Sequence, residues 1–164
     1  MIIIIVDEHD EVTGINDSES VSSNDIYRVS ALWIVNLRGE VLLAQRSFNK
    51  TKDPGTWGPA VAGTVEKGED YDTNIVKEAQ EEIGLTLALN SLVRGPKLRI
   101  STPRSNYFVQ WYFYTLDKPA EDLVLQKEEV EGVKWFSKAE LRQEIMENPK
   151  KFVPSAPRWP ELFL

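Results

Sequence analysis

Three glutamates at helical spacing near the middle of the chain point to metal chemistry. Glu78 and Glu82 are four residues apart, so on a helix they lie on one face, with Glu81 one turn from Glu78. Side chains at this spacing have Cβ atoms about 5 to 6 Å apart, so each like-charged pair costs about 3 kcal/mol at an effective dielectric constant of about 20. A positive charge is therefore expected among them. Carboxylate oxygens at this density suit Mg²⁺, with Mn²⁺ as a substitute.

The segment that carries these glutamates is predicted to form an amphipathic helix over residues 71–83. Asp70 or Asp72 can cap its N-terminus, and Gly84 can end it. Its apolar residues recur at helical spacing: Ile75, Val76, Ala79 and Ile83. The helix can therefore bury this face while the acids face a cleft. From the three acids alone, a solvated helix surface is the commoner explanation.

Composition removes most other kinds of site. The 164 residues include no cysteine, so disulfides, thiolate nucleophiles and cysteine-bound zinc are excluded. The single histidine, His9, leaves almost no material for a multi-histidine metal site or a histidine-based triad. A net charge of -7 disfavours binding to nucleic acid or to an anionic membrane. The apolar run Ile2–Val6 is too short to span a membrane, and we expect a cytoplasmic location. Acid-base and metal chemistry must depend mainly on carboxylates.

The order of the elements predicts one domain over residues 1–164, of the α/β class and α+β type, with a mixed β-sheet covered by helices. A hairpin from Ile2 to Gly14 begins the chain. Further strands are predicted at 27–35, 41–44, 57–65, 85–92, 97–101, 107–115 and 131–136. Ser137 with Glu140 has the capping-box pattern and opens a second helix to about Met146. The apolar tail 152–164 is expected to pack back on the body.

A longer spacing surrounds the acidic helix. From Gly63 the sequence reads GTVEKGEDYDTNIVKEAQEEIGL, with five residues between the glycine and Glu69 and seven residues between Glu69 and Lys77-Glu78. It resembles the Nudix box, a loop-helix-loop of pattern G-x5-E-x7-R-E-U-x-E-E-x-G-U in which U is aliphatic. Gly63, Gly84 and all four glutamates are present. Lys77 stands where the family has arginine, and Ala79 fills the first aliphatic position.

The resemblance implies a Nudix α/β/α sandwich and a pyrophosphohydrolase. Such an enzyme cleaves a nucleoside diphosphate linked to another group by attack of water on phosphorus, with metal ions polarising the diphosphate. It further implies that Glu78 and Glu82 are the principal metal ligands and that Glu81 is a further one, direct or through water. Ala62 could add its backbone carbonyl.

A general base is also expected, and the sequence leaves its identity open. Glu82 is one candidate, and Glu128 or Glu129, just before the final strand, is the other. In the family the arginine pairs with the first glutamate, here Glu69, to hold the loop against the helix. Lys77 keeps the charge but loses the bidentate fork, so we expect a less rigid loop.

Cations and one aromatic residue could place the substrate. Residues 83–116 and 41–52 are basic segments, and neither contains an aspartate or a glutamate. The candidates for contacting substrate phosphates are Arg46, Lys50 and Arg104. Trp57 could stack on a nucleobase. Solubilising loop charges and core packing are the alternative roles.

Two other functions stay open. The segment Arg46-Ser-Phe-Asn-Lys50, followed by Pro54-Gly55-Thr56-Trp57, is similar to the isopentenyl-diphosphate-isomerase branch of the same superfamily. Those isomerases use a cysteine and metal-binding histidines that this chain lacks, which disfavours isomerisation. A binding module that holds a nucleotide without cleaving it is supported only by Lys77 and Ala79. The apolar tail could also seal a homodimer.

Overall fold

The computed structural model describes all 164 residues, as nine strands and three α-helices joined by turns and short 3-10 segments. The strands are β1 (Ile2–Val6), β2 (Val12–Asp17), β3 (Ile26–Val35), β4 (Val41–Arg46), β5 (Trp57–Pro59), β6 (Val61–Thr64), β7 (Val93–Ser101), β8 (Asn106–Thr115) and β9 (Val130–Phe136). The helices are α1 (Tyr71–Ile83), α2 (Lys138–Glu147) and α3 (Trp159–Phe163).

Strand β3 lies at the centre of the sheet. Strand β8 runs parallel to it along nearly its whole length, from the pair Tyr27 and Tyr107 to the pair Val35 and Thr115. The other edge of β3 is shared by β1, β6 and β4, all antiparallel to it. Strand β4 continues the sheet to β5 and β9, while β2 and β7 pair with β1 and β8. The predicted mixed sheet is confirmed.

The two faces of β3 pack against different layers, because successive side chains of a strand point to opposite sides. Leu32 and Ile34 pack in the core beneath α1. Ala31 and Trp33 pack in a second core beneath α2 and the C-terminal segment. The predicted α/β/α sandwich is confirmed, and the acidic helix α1 packs on one face of the sheet.

Helix α1 has the predicted bounds because its signals are local. Asp70, rather than Asp72, is the N-cap, and its carboxylate accepts a hydrogen bond from the Thr73 backbone N–H at 2.8 Å. Gly84 ends the helix at φ +68°, a left-handed conformation that favours glycine. Ile75, on the apolar face, is fully buried. The opposite edge of the helix is free to carry the acids.

Two strand predictions need correction. Residues 85–92 form no strand: Leu85 and Leu87 are buried beneath α1 without any strand partner, and a 3-10 turn covers Leu89–Ser91. Their alternating burial therefore comes from packing rather than from pairing. The predicted strand 57–65 is divided at Ala60, because β5 pairs with β4 and β6 pairs with β3.

The C-terminal segment packs on its own chain, as predicted. Trp159 is 1% exposed, and its ring centroid lies 5.3 Å from that of Trp33. Phe163 lies 4.6 Å from the same ring of Trp33.

Ser137 caps α2 by accepting a hydrogen bond from the Glu140 backbone N–H at 3.0 Å. The Glu140 carboxylate binds Lys134 instead of the cap, so the capping box is only half formed. None of the helices is long and apolar enough to cross a membrane.

Candidate active site

Gly63 brings strand β6 against the helix face that carries Glu78. A Cβ atom at position 63 would lie 2.4 Å from both Cγ and Cδ of Glu78. Only a residue without a side chain leaves room for Glu78 there. The first glycine of the motif is therefore required by the close approach of a glutamate side chain.

Glu69 anchors the loop before α1 with three donors. Its Oε1 accepts from Lys77 Nζ at 2.6 Å, and its Oε2 accepts from the Asn74 side chain at 2.8 Å and from the Glu66 backbone N–H at 3.0 Å. Burial disfavours the charged form of Glu69, but these hydrogen bonds outweigh it and hold its pKa below the ordinary value. Although Lys77 lacks a guanidinium fork, the loop is tied to the helix on both carboxylate oxygens.

The sequence prediction missed Asn74. This residue is fully buried and donates from Nδ2 to Glu69 and, at 3.1 Å, to the backbone carbonyl of Thr64. Its Oδ1 accepts a hydrogen bond from Ser30 Oγ. Asn74 lies four residues before Glu78 on the same helix face, and this spacing is the signal that could have identified it. The distance from Asn74 Nδ2 to Glu78 Oε1 is 3.4 Å.

Glu78 and Glu82 are buried carboxyl groups with little positive charge nearby to stabilise their ionised forms. Burial raises the pKa of Glu78 to about 7; Lys77, 3.8 Å from Glu78 Oε1, opposes the rise, while the charge of Glu81 adds to it. Burial raises the pKa of Glu82 to about 8, with Glu78 and Glu129 adding to it. Lys50 and the Ala62 backbone favour the charged form of Glu82 without outweighing burial. A bound cation would restore the missing charge.

Of the two predicted bases outside the helix, the structure brings Glu129 to the acids. Its carboxylate lies 2.5 Å from Lys50 Nζ, and its backbone carbonyl accepts from the Ser47 N–H at 2.9 Å. The preceding segment is tied to the end of α1, where the Gln126 N–H donates to the Glu82 carbonyl at 2.9 Å. Glu128 is exposed and makes no side-chain contact with a polar group. Glu129 therefore lies with Glu78, Glu81 and Glu82, and these four residues are called the acidic cluster below. Glu128 lies outside it.

Of the other predicted site residues, Glu81 and Ala62 lie beside the acids, whereas Arg46 and Trp57 make contacts elsewhere. Glu81 is exposed at the edge of the cluster, whereas the backbone of Ala62, on β6, lies beside Glu82. Arg46 donates from Nε to the Lys52 carbonyl at 3.0 Å and so holds the loop after β4. Trp57 packs edge-on against Phe136 at 5.5 Å, in the core on the other face of the sheet.

Arg104 lies in the turn between β7 and β8. Its side chain is exposed and has no partner. Lys52 donates to Ser105 Oγ of this turn at 2.6 Å, which places the turn beside the loop that follows β4. Of the predicted substrate-binding residues, only Lys50 directly contacts the acidic cluster.

The donor set fits a hard divalent cation. Glu78, Glu82 and a backbone carbonyl at Ala62 offer oxygen ligands, which Mg²⁺ and Mn²⁺ prefer. No three acidic side chains converge closely enough to enclose a metal ion by themselves. Water and substrate oxygens would complete the coordination, as is usual for Mg²⁺.

The fold is shared with a solved structure. A solved structure from Deinococcus radiodurans matches the whole of both chains with a TM-score of 0.79 at 22% identity. At that identity the likeness shows a shared fold, with the helix and sheet layers described above.

The NUDIX domain model matches residues 26–156, and the chain belongs to the Nudix family of hydrolases. An uncharacterized Nudix hydrolase of Listeria monocytogenes is 30% identical over 152 residues, covering 92% of this chain and 86% of that one. The predicted family and the predicted class, a hydrolase acting on diphosphate bonds, are both confirmed. Members of the family generally use divalent metal ions and act on small molecules.

Two further relatives have named activities. A prenyl-diphosphate phosphatase of Methanosarcina mazei is 26% identical over 151 residues, covering 92% of this chain and 87% of that protein. An isopentenyl-diphosphate Delta-isomerase of Klebsiella pneumoniae is 26% identical over 88 residues, covering 52% of this chain and 48% of that protein.

Proposed function

We propose that this protein is a Mg²⁺-dependent pyrophosphohydrolase that cleaves a nucleoside diphosphate linked to another group, or a similar small diphosphate, by attack of water on phosphorus. The observation that carries this proposal is the pair Glu78 and Glu82, whose pKa values burial raises to about 7 and about 8. Two neighbouring carboxyls kept from water are costly to hold in their charged forms unless a cation binds between them.

Glu78 and Glu82 would hold the metal, with the Ala62 carbonyl as a backbone ligand. Gly63 leaves the space in which Glu78 reaches β6. The ion pair of Glu69 with Lys77 ties the loop after β6 to the helix. Glu81, exposed at the edge, would contribute through water. When bound, the metal polarises the diphosphate oxygens and lowers the pKa of the attacking water.

Glu129 would act as the general base. It is the acid outside α1 whose charge reaches Glu82, and Lys50 fixes its position at 2.5 Å. Glutamate is a suitable acceptor for the proton of the attacking water if it lies within hydrogen-bond reach. Lys50 would in addition offer a positive charge to the substrate phosphates beside the metal. Arg46 supports the same loop through its backbone contact.

The substrate class is tested by a screen with Mg²⁺. The panel contains nucleotide sugars, dinucleoside polyphosphates, oxidised nucleoside triphosphates and prenyl diphosphates, the last because of the prenyl-diphosphate phosphatase relative. Released phosphate is measured after treatment with phosphatase where the product is a monoester. Glu82→Gln should lower turnover by orders of magnitude while the fold survives, and the exposed Glu161→Gln is the matched control. Near-normal turnover in Glu82→Gln would refute the proposal.

An isomerase is the second candidate, favoured by the isomerase relative and by the segment from Arg46 to Trp57. The absence of cysteine from the chain disfavours it. Incubation with isopentenyl diphosphate separates the two activities, because the isomerase yields a product isomer and releases no phosphate. Binding of a nucleotide that depends on metal and gives no product over hours would instead support a catalytically silent module. A homodimer stays a prediction that light scattering can check.

A further inference from the structure

The two carboxylate oxygens of Glu69 are held by different side chains of one helix. Lys77 Nζ binds Oε1 at 2.6 Å, and Asn74 Nδ2 binds Oε2 at 2.8 Å. Lys77 also binds Glu66 Oε1 at 2.7 Å, so its single ammonium group is shared between two acids. Residues 74 and 77 are neighbours on the surface of a helix, so both can reach the same carboxylate.

The orientation of Asn74 is fixed by its neighbours. Glu69 and the Thr64 carbonyl can only accept hydrogen bonds, so the amide nitrogen of Asn74 must face them. Ser30 Oγ then donates to the remaining Oδ1, and Ser30 is itself fully buried. A buried amide with all these partners is unlike a side chain that only fills space.

Asn74 also connects the loop to the acidic cluster. Its Nδ2 lies 3.4 Å from Glu78 Oε1, on the side of Glu78 that faces β6. Thr64, whose carbonyl it binds, follows Gly63 directly in β6. One amide group therefore touches the loop, the strand and the side chain proposed to bind metal.

We propose that Asn74 and Lys77 together form a two-armed clamp on Glu69, equivalent to the fork of one guanidinium group, and that Asn74 is a positioning residue for Glu78. An arginine presents two parallel donors to a carboxylate, whereas a lysine presents one point charge. In this chain the second donor comes from Asn74. The clamp itself is independent of the proposed function. The positioning of Glu78 rests on the proposed function, because it assumes that Glu78 binds metal.

The experiment compares four proteins: the unaltered chain, Asn74→Ala, Lys77→Arg and the double variant. Hydrogen-deuterium exchange of the loop 66–70 reports the clamp. Asn74→Ala alone should speed this exchange about tenfold or more, because a hydrogen bond to a charged group is lost. In the Lys77→Arg background the same change should speed the exchange of the loop less than about threefold, since the guanidinium fork can take both oxygens of Glu69.

Ser30→Ala is the matched control, because it removes a buried partner of Asn74 but leaves the amide free to bind Glu69. Its loop should exchange more slowly than that of Asn74→Ala. Equal acceleration by Asn74→Ala in both backgrounds would overturn the clamp, because a purely space-filling role would not depend on residue 77. If Asn74→Ala does not fold, Asn74→Ser, which keeps a polar group in the pocket, is compared across the same two backgrounds with the same criterion.

Mn²⁺ binding, followed by electron paramagnetic resonance, tests the positioning of Glu78. Asn74→Ala should weaken Mn²⁺ binding about 10- to 100-fold, the usual effect of removing a group that orients a metal ligand. Lys77→Arg should restore less of this loss than of the loss in exchange protection, because a guanidinium replaces the contact with Glu69 and not the amide contact with Glu78. Unchanged Mn²⁺ affinity in Asn74→Ala would overturn the positioning role. If the unaltered protein binds no Mn²⁺ while the exchange results show the coupling, the proposed function fails and the clamp stands.

Discussion

Substitution of Gly63 by alanine should displace Glu78 while the protein stays folded. The new Cβ would lie 2.4 Å from Cγ and Cδ of Glu78, whereas carbon atoms in favourable contact are about 3.5 to 4.0 Å apart. The Glu78 side chain must therefore move by about 1 Å or more to restore contact distance. It can do so by rotating, because the obstructing atoms belong to a flexible side chain rather than to backbone. A displacement of about 1 Å in a catalytic group can lower the rate about 100-fold.

The assay measures turnover on the best substrate of the screen, Mn²⁺ affinity and the melting temperature. We expect turnover in Gly63→Ala to fall about 100-fold, with weaker Mn²⁺ binding and a melting temperature within a few degrees of the unaltered protein. Gly14→Ala is the control, because a Cβ at Gly14 meets nothing within 4 Å. Unchanged turnover and Mn²⁺ affinity in Gly63→Ala would show that Glu78 does not act from this position.

Four further outcomes follow from the charges and the packing. Burial raises the pKa of Glu78 from 4.5 to about 7 and that of Glu82 from 4.5 to about 8, so the folded state without metal binds more protons than the unfolded state across this interval. These groups should therefore make the melting temperature of the metal-free protein fall as pH rises from about 4.5 to about 8. If the melting temperature of Glu82→Gln falls with pH as steeply as that of the unaltered protein, this reasoning is wrong. At pH 8 in chelator, Glu82→Gln should raise the melting temperature, by about 2 to 4 °C for each kcal/mol of relieved charge burial. Glu129→Gln should slow turnover far more than Glu128→Gln, measured at saturating substrate, and equal effects would remove Glu129 as the base. Trp159→Ala should lower the free energy of unfolding by about 3 to 5 kcal/mol in urea titrations, because this large side chain is 1% exposed; a loss below about 1 kcal/mol would show that the tail is not part of the core.

The acidic helix could be predicted to the residue because its signals are local. Asp70, Gly84 and the spacing of the apolar residues all lie within the segment itself. The strand prediction for residues 85–92 was wrong because a strand-like composition does not reveal whether a partner strand exists. Leu85 and Leu87 alternate with exposed residues while facing the helix core. Strand pairing depends on distant residues that one segment does not specify.

The candidate site shows the same division between local and distant information. Lys50 and Glu129 were both expected in the site, but their contact joins positions 79 residues apart and could not be read from either segment. Asn74 was missed because its spacing from Glu78 does not by itself show that the side chain is buried or which groups it binds. Its importance follows from Ser30, which is 44 residues away in the chain. The choice between Glu128 and Glu129 likewise depends on the path of the chain into β9.

The pairing of β3 sets the order in which the molecule can be completed during synthesis. One edge of β3 is filled by strands that precede residue 65, whereas its parallel neighbour β8 begins at Asn106. A nascent chain can therefore bring Glu78 against Gly63 while the other edge of its central strand is still bare. Glu129 and β9, the last strand of the sheet, are synthesised later still. An emerging chain has Glu78, Glu81 and Glu82 long before it has Glu129, and its open strand edge is the surface at which premature association would begin.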